Sequence, residues 1–403
     1  MQRVYVWTWL PGATTPVVAG AIEPRNGVSA FFYARSYLRR TDAISLWAPE
    51  LPLREGWIEP LDGLVLAGAL RDGAPDAWGR RVIEAKLGVD DSALEELDYL
   101  LLSGSNRFGA LDFQAAGNTY VPRGDTASLD ELTEAATRLQ EHRALSAPLE
   151  AALLHGTTIG GARPKVLVED GDDHWIAKLA STSDVVYSVV GAEAAAMRLA
   201  RAAGLNVADT RLATSNGRDV LLVRRFDRDA GGRRRHTVSA LTMVGLDEQV
   251  ARYATYPDVL DVLRRLGADY AADAAELFRR IAFSIAISNS DDHARNHAAF
   301  WDGRTVRLTP AYDLAPGNRS GETATQAMAY DRDGRRTSNF AELLGAASLY
   351  GLTRRGAREI IDRIIAAIHD GWDEAADAAR LSAADRTRLW GNQFLNPGAL
   401  HDY

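Results

Sequence analysis

The chain has 403 residues, 46% apolar and 25% charged; this exceeds one ordinary domain, so two or three globular units with sizeable cores are expected. No uninterrupted apolar run could cross a bilayer, the start MQRVYVWTWLPGATTP does not read as a signal peptide, and the lack of cysteine excludes disulfides and thiolate metal sites, so a cytoplasmic protein is expected. A net charge of -8 disfavours autonomous binding to a polyanion and leaves nucleic-acid contact to a local basic cluster or a basic partner.

Over residues 1–125, short apolar segments such as RVYVWTWL, SAFFYARSYL and GALDFQAAGNTYV alternate with turn residues, which predicts a β-rich first domain with interleaved helices. In PRGDTASLDELTEAATRLQEHRALSAP, Ser128 and Glu131 have capping-box spacing, so an amphipathic helix is expected to start there and end near Ala144. KVLVEDGDDHWIAKLA, from Lys165, has two apolar-rich runs around an acidic, glycine-containing turn. That is the pattern of a β-hairpin with Lys178 on its second strand. GAEAAAMRLARAAGLNV is rich in helix formers and closes on Gly204, and strands are expected around TRLATS and DVLLVRRFDR. After Arg228 helical periodicity dominates: Leu277, Ile281 and Ile285 recur every four residues, and Ile361, Ile364, Ile365 and Ile368 form one stripe. The expected fold class is α+β, with an α/β lobe over residues 126–230 and a helical lobe over residues 231–403.

Three groups of residues carry chemistry. In HGTTIGGARPK, His155 to Lys165, adjacent Gly160 and Gly161 let the backbone turn its N–H groups toward an anion, and Arg163 and Lys165 add positive charge. A plain turn before a strand gives the same letters, and neither a Walker loop nor a dinucleotide fingerprint is present. Lys178 reads either as an edge-strand lysine reaching water along its stem or as a phosphate clamp. The clamp needs a carboxylate partner, and Glu193 is the only acid from Ala192 to Leu205. In SNSDDHARNH, Asp291 and Asn296 are separated by four residues, as are the base aspartate and metal-binding asparagine of the protein-kinase catalytic loop. Asp313 follows the strand-like TVRLTP, where a kinase presents its second metal-binding carboxylate. Magnesium between phosphates takes hard oxygen ligands, and an uncoordinated carboxylate must accept the hydroxyl proton; these three residues fill those roles. Asp292 is a rival base, and Asp291-Asp292 also reads as a solvated helix end. His293 and His297 stand at i, i+4 but lack the glutamate of the zinc motif. The order of glycine loop, strand lysine, helix glutamate, aspartate–asparagine pair and late aspartate favours phosphoryl transfer.

On these motifs most of the chain resembles the HipA-like serine/threonine kinases, toxins of HipBA-type toxin–antitoxin modules. TIGGARPK is similar to that family's glycine-rich loop, WIAKLA to its ATP-lysine strand and VRRFDR to the segment passing between lobes. SNSDDHARNH and AYDLAP are similar to its catalytic and metal motifs, and ALRDGAPDAWGRRVI and LLLSGSNRFGALDF to its N-terminal domain. The resemblance implies a two-lobed protein-kinase-like fold using ATP and Mg²⁺, with Asp291 as catalytic base and Asn296 and Asp313 as metal ligands. It implies an ATP site of Gly160, Gly161, Ala162, Arg163, Pro164, Lys165 and Lys178, with Arg224, Arg225 and Phe226 on the adenine side. His293, Ala294, Arg295, Asn296, Tyr312 and Asp313 would complete that site, and Glu193 would partner the lysine. It also implies a small helix-turn-helix HipB-like antitoxin that carries most of the DNA contact, and a protein substrate such as an aminoacyl-tRNA synthetase. Family members commonly carry an autophosphorylated serine in the glycine-rich loop. Thr158 stands in that place, with turn hydroxyls bonding nearby backbone as the alternative reading of Thr157 and Thr158. A small-molecule phosphotransferase of kinase-like fold and a non-catalytic co-repressor are the other functions these residues allow.

Overall fold

The structure, a computed structural model, describes residues 3–90, 93–124, 128–141, 143, 146, 153, 163–180, 184, 186–229 and 231–403. The first domain is built on an antiparallel sheet of β1 (Val4–Thr8), β2 (Val17–Arg25), β3 (Val28–Tyr33) and β4 (Leu111–Gln114), in the order β3-β2-β1-β4. Val4, Val6, Ile22, Phe31 and Phe113 bury one face of it with Tyr37 and Trp47. The helices Gly68–Arg71 and Ala77–Leu87 follow. Asp76 opens the second, its Oδ1 accepting the Gly79 N–H at 2.9 Å, and left-handed Gly88 (φ 65°) ends it. At Gly68 the first domain approaches the helical lobe so closely that a Cβ would lie 2.8 Å from Thr242 Oγ1.

A second antiparallel sheet contains β5 (Lys165–Asp170), β6 (Asp173–Leu179), β7 (Thr210–Ser215) and β8 (Arg218–Arg224), in the order β5-β6-β8-β7. Gly171 (φ 63°) closes the predicted hairpin. Lys178 therefore lies on an interior strand, which removes the edge-strand reading. The sheet divides two apolar clusters because successive side chains leave opposite faces. Leu221 and Val223 join Ala192, Ala196 and Leu199 of the helix Val189–Ala202 on one side. Val166, Trp175, Ala177 and Leu222 join Leu132 and Ala136 on the other, together with Trp78, Val82 and Ile83 of the first domain. Leu132 and Ala136 belong to the helix Leu129–Gln140, which Ser128 and Glu131 cap reciprocally. It stops short of the expected end, and Ala144 lies outside the described residues.

The short hairpin of β9 (Arg228–Asp229) and β10 (Arg233–Arg234) leads into β11 (Thr237–Ser239), which pairs with β12 (Ala298–Trp301), itself paired with β13 (Val306–Leu308). The helix Tyr256–Leu266 packs against this sheet and against Tyr270–Ala286, which in turn packs on Arg354–Ala378, and that last helix also lies along Val189–Ala202 of the α/β lobe. Leu277, Ile281, Ile285, Ile361, Ile364 and Ile368 are fully buried, as their spacing predicts, while Ile365 lies half-buried beside them. Among the described residues, no helix is long and apolar enough to cross a membrane.

Candidate active site

The helix Tyr270–Ala286 ends at Ile287, and the chain turns through left-handed Ser288 (φ 53°) into the aspartate–asparagine loop. Asp292 anchors this loop from inside the protein. Its Oδ2 accepts hydrogen bonds from Tyr256 Oη at 2.5 Å and Ser284 Oγ at 3.1 Å, and its Oδ1 lies 2.9 Å from His297 Nε2. Burial pushes the Asp292 carboxyl up, but His297 and the two hydroxyls outweigh it and hold the group below the usual carboxylate range. Asp292 and His297 are thus a buried structural pair, which removes the readings of Asp292 as a rival base and of Asp291-Asp292 as a solvated helix end.

Asp291, one residue earlier, is exposed, and among the described residues its carboxylate has no hydrogen bond or ion pair. Its backbone carbonyl accepts the His293 N–H at 2.9 Å and Asn296 Nδ2 at 3.0 Å, which shapes the short 3₁₀ turn Ala294–Asn296. A carbonyl only accepts, so the amide nitrogen of Asn296 must face it and Oδ1 is left for a ligand.

Lys165 and Lys178 are direct partners across β5 and β6, so both side chains leave the same face of the sheet. Lys178 Nζ donates to Glu193, on the helix Val189–Ala202, and to Asp313, beyond β13. Burial pulls the Lys178 pKa down, but the two carboxylates outweigh it and raise it above the ordinary lysine value. Burial pushes Asp313 up, while Lys178 and Lys165 hold it well below the carboxylate range; in Glu193, burial prevails over Lys178 and the shift is upward. Asp313 is also left-handed (φ 60°), a conformation that costs most non-glycine residues energy and that recurs where side-chain placement matters. Tyr312 Oη donates to the Arg295 carbonyl at 2.8 Å, tying Asp313 to the loop of Asp291 and Asn296. An amide oxygen and a carboxylate on linked segments match the hard ligands that magnesium takes beside phosphate oxygens and waters. Among the described residues there is no cluster of three or more His, Cys, Asp or Glu side chains for an all-protein metal cage.

Other predicted residues are placed differently. Gly160, Gly161, Ala162 and Thr158 lie outside the described residues. Arg163 pairs with Asp184 at 2.7 Å, and the Pro164 carbonyl extends the hairpin by accepting the Leu179 N–H at 3.1 Å. Ala294 is buried, His293 is half-buried, and the Arg295 side chain reaches Glu248 at 2.6 Å. Two adenine-side residues have side chains engaged elsewhere. Leu221 opposes Lys178, so Arg224, three residues on, leaves the opposite face of the sheet and pairs with Asp173 at 2.5 Å. Arg225 is buried, forks onto Asp227 at 2.9 and 2.7 Å, and reaches Asn106 Oδ1 and the Arg107 carbonyl of the first domain, each at 2.6 Å. It docks the first domain. Phe226, between these contacts, packs its ring against Phe108, Phe300 and Tyr312. Asp227 had a signal in the sequence, an acid among the arginines of VRRFDR; for Asp292 the sequence showed only that it lacks the four-residue gap to Asn296 that singles out Asp291, not its buried partners.

Residues 157–372 match the family model of the HipA-like C-terminal domain, and residues 13–114 match that of the HipA N-terminal domain. Two curated relatives come from Sinorhizobium fredii (strain NBRC 101917 / NGR234). "Putative kinase Y4mE" is 31% identical over 226 residues, 49% of this chain and 52% of that protein. "Putative kinase Y4dM" is 27% identical over 265 residues, 60% of this chain and 59% of that protein. The chain thus spans between half and two thirds of the length of the curated relatives it matches. A solved chain from the Shewanella oneidensis MR-1 complex of toxin–antitoxin system HipA, HipB and its operator DNA superposes with a TM-score of 0.65. It is 19% identical, with 98% of this chain and 99% of that chain covered, a likeness of fold. With both domain models matched in order, and the C-terminal one over more than half of its residues, the chain belongs to the HipA-like family.

Proposed function

We propose that this chain is an ATP- and Mg²⁺-dependent serine/threonine protein kinase and the toxin of a type II toxin–antitoxin pair. The observation that carries the reading is Lys178 held between Glu193 and Asp313, with the Asp291 carboxylate, which has no partner among the described residues, on the loop tied to Asp313. Lys178 offsets charge on the ATP phosphates, and Glu193 keeps the ammonium in place. Asn296 Oδ1 and Asp313 would hold the metal, which when bound would supply positive charge against that of the phosphates. Asp291 orients the acceptor hydroxyl and takes its proton as the new O–P bond forms and the bond to the leaving phosphate breaks. Asp292, buried beneath it, keeps the backbone of that base fixed. Catalysis is then mainly positioning and electrostatics.

The acceptor in this reading is a serine or threonine of a translation protein, such as an aminoacyl-tRNA synthetase, and Thr158 is the site of autophosphorylation. The solved HipA, HipB and operator DNA complex supports a HipB-like antitoxin as partner, and the net charge of -8 agrees with DNA contact made through that partner. The place of action is the cytoplasm. The test is phosphoproteomics of a bacterial lysate incubated with Mg-ATP and either the wild type or Asp291→Asn. Wild type adds phosphate to serine or threonine, and the variant does so about 10²- to 10⁴-fold more slowly, the usual worth of a positioned base. Equal rates, or transfer to metabolites alone, refute the reading.

A further inference from the structure

One segment of the first domain reaches the loop that carries Asp291 and Asn296. The turn between the helices Gly68–Arg71 and Ala77–Leu87 faces the helical lobe with three charged side chains. Arg71 Nη2 donates to the Leu246 carbonyl at 2.8 Å, and its Nη1 lies 3.2 Å from Asp247. Asp72 is buried; its Oδ2 accepts the Ser239 N–H at 2.7 Å and its Oδ1 accepts Ser239 Oγ at 2.8 Å. The same Oδ1 lies 3.4 Å from Arg295 Nη1, a charge contact from the first domain into the aspartate–asparagine loop. Asp76, the cap of the next helix, keeps a buried Oδ2 without a partner among the described residues and lies within the electrostatic reach of Lys165 and Arg295.

Arg295 is the residue just before Asn296, and its carbonyl takes the Tyr312 hydroxyl that precedes Asp313. A continuous series of contacts therefore runs from Asp72 through Arg295 and Tyr312 to Asp313. A single buried carboxylate that serves the end of β11 and the guanidinium of Arg295 fixes the separation of those two segments. We propose that Asp72 is a positioning residue for phosphoryl transfer: from the first domain it holds Arg295, and so sets the loop of Asp291 and Asn296 against Asp313. The simpler alternative is that Asp72 only stabilises the junction at Ser239, which would lower stability without touching turnover of the folded protein.

The inference rests on the kinase reading, and two measurements keep them apart. The first is steady-state kinetics of the full chain with Mg-ATP and a protein acceptor, for wild type, Asp72→Asn, Arg295→Gln and the double variant. Asp72→Asn is expected to lower kcat about 10- to 100-fold with KM for ATP within about threefold, the pattern of a small misplacement of reacting groups. The double variant is expected to be no slower than Arg295→Gln alone, because both changes remove one contact. The second is hydrogen exchange of residues 291–297, whose amides include His293 and Asn296, bonded within the loop. Asp72→Asn is expected to speed that exchange. Additive effects of the two substitutions, unchanged exchange, or a lower melting temperature with unchanged kcat each overturn the positioning role. A wild type that moves no phosphate refutes the kinase reading and with it any role in transfer, while the exchange result still decides whether Asp72 holds the loop.

Discussion

Replacing Asp227 by asparagine isolates the contact that seats the first domain on the strand leaving the second sheet. The carboxylate is buried and accepts Arg225 Nε at 2.9 Å, Arg225 Nη2 at 2.7 Å, Arg228 Nη1 at 2.9 Å and the Gly109 N–H at 2.7 Å. Asparagine keeps the shape and one acceptor, but leaves two buried guanidinium groups without the charge that faces them. Breaking a buried pair by removing one partner costs about 3–5 kcal/mol, and because Arg225 retains carbonyls of Asn106 and Arg107 the expected loss is near the lower end, about 3 kcal/mol. Against a total stability of about 5–15 kcal/mol this is large. Burial pushes the Asp227 carboxyl up, yet Arg225 and Arg228 outweigh it and hold it far below its usual range. A depressed acid contributes stability that is fully present above its unfolded pKa and fades as pH falls toward the folded one. The gap between wild type and Asp227→Asn should thus be widest at neutral pH and narrow below about pH 4. Urea unfolding followed by tryptophan fluorescence at pH 7 and at pH 3 measures both. A loss below about 1 kcal/mol at pH 7, or a gap that does not change with pH, refutes the reasoning.

Glu193→Gln removes the deeper partner of Lys178, so the ammonium is left to Asp313; kcat/KM for ATP should fall at least about tenfold, and an unchanged ratio would deny the clamp. Both Asp313→Asn and Asp313→Ala should stop transfer, and because asparagine tolerates the left-handed backbone of residue 313 better, the alanine variant should be the less stable by about 1 kcal/mol; equal stability in urea unfolding would count against that backbone state. Glu50 accepts the N–H groups of Gly68 and Ala69 at 3.1 and 2.9 Å, and burial pushes its carboxyl up to about 7. The folded chain therefore holds this proton more tightly than the unfolded one, and stability from it is present below about pH 4 and lost as pH rises through about 7. Thermal melts at pH 5 and pH 8 should show Glu50→Gln gaining on wild type at the higher pH, and an identical offset at both pH values would remove Glu50 as the cause.

The elements best read from the letters are those whose signal is local. The capping box at Ser128 and Glu131, the hairpin around Gly171 and the four-residue repeat of Leu277, Ile281 and Ile285 each need only neighbours in the chain. Glu193 was also within reach, because a helix of alanine and leucine offers a buried lysine few other partners. Contacts across more than a hundred residues were not legible. The arginines of VRRFDR look alike in the sequence, yet strand alternation sends Arg224 to the outer face and the turn after β8 sends Arg225 into the first domain. Of the two aspartates of SDDHARN, spacing to Asn296 favours Asp291, but the burial of Asp292 depends on Tyr256 and Ser284, partners 36 and 8 residues away. Asp72 shows the same limit, since Arg295 lies 223 residues beyond it.

The left-handed backbone at Asp313 restricts what this position can hold. Only glycine, asparagine and aspartate enter that conformation readily, and only a short carboxylate can meet Lys178 from it. Glutamate keeps the charge but resists the backbone and carries one extra methylene; asparagine accepts the backbone but lacks the charge; glycine has no side-chain oxygen to accept from Lys178. A saturation library at codon 313, selected on phosphoryl transfer, should therefore return a single letter, whereas exposed positions tolerate many. Two independent demands, one on the main chain and one on the side chain, intersect in one amino acid.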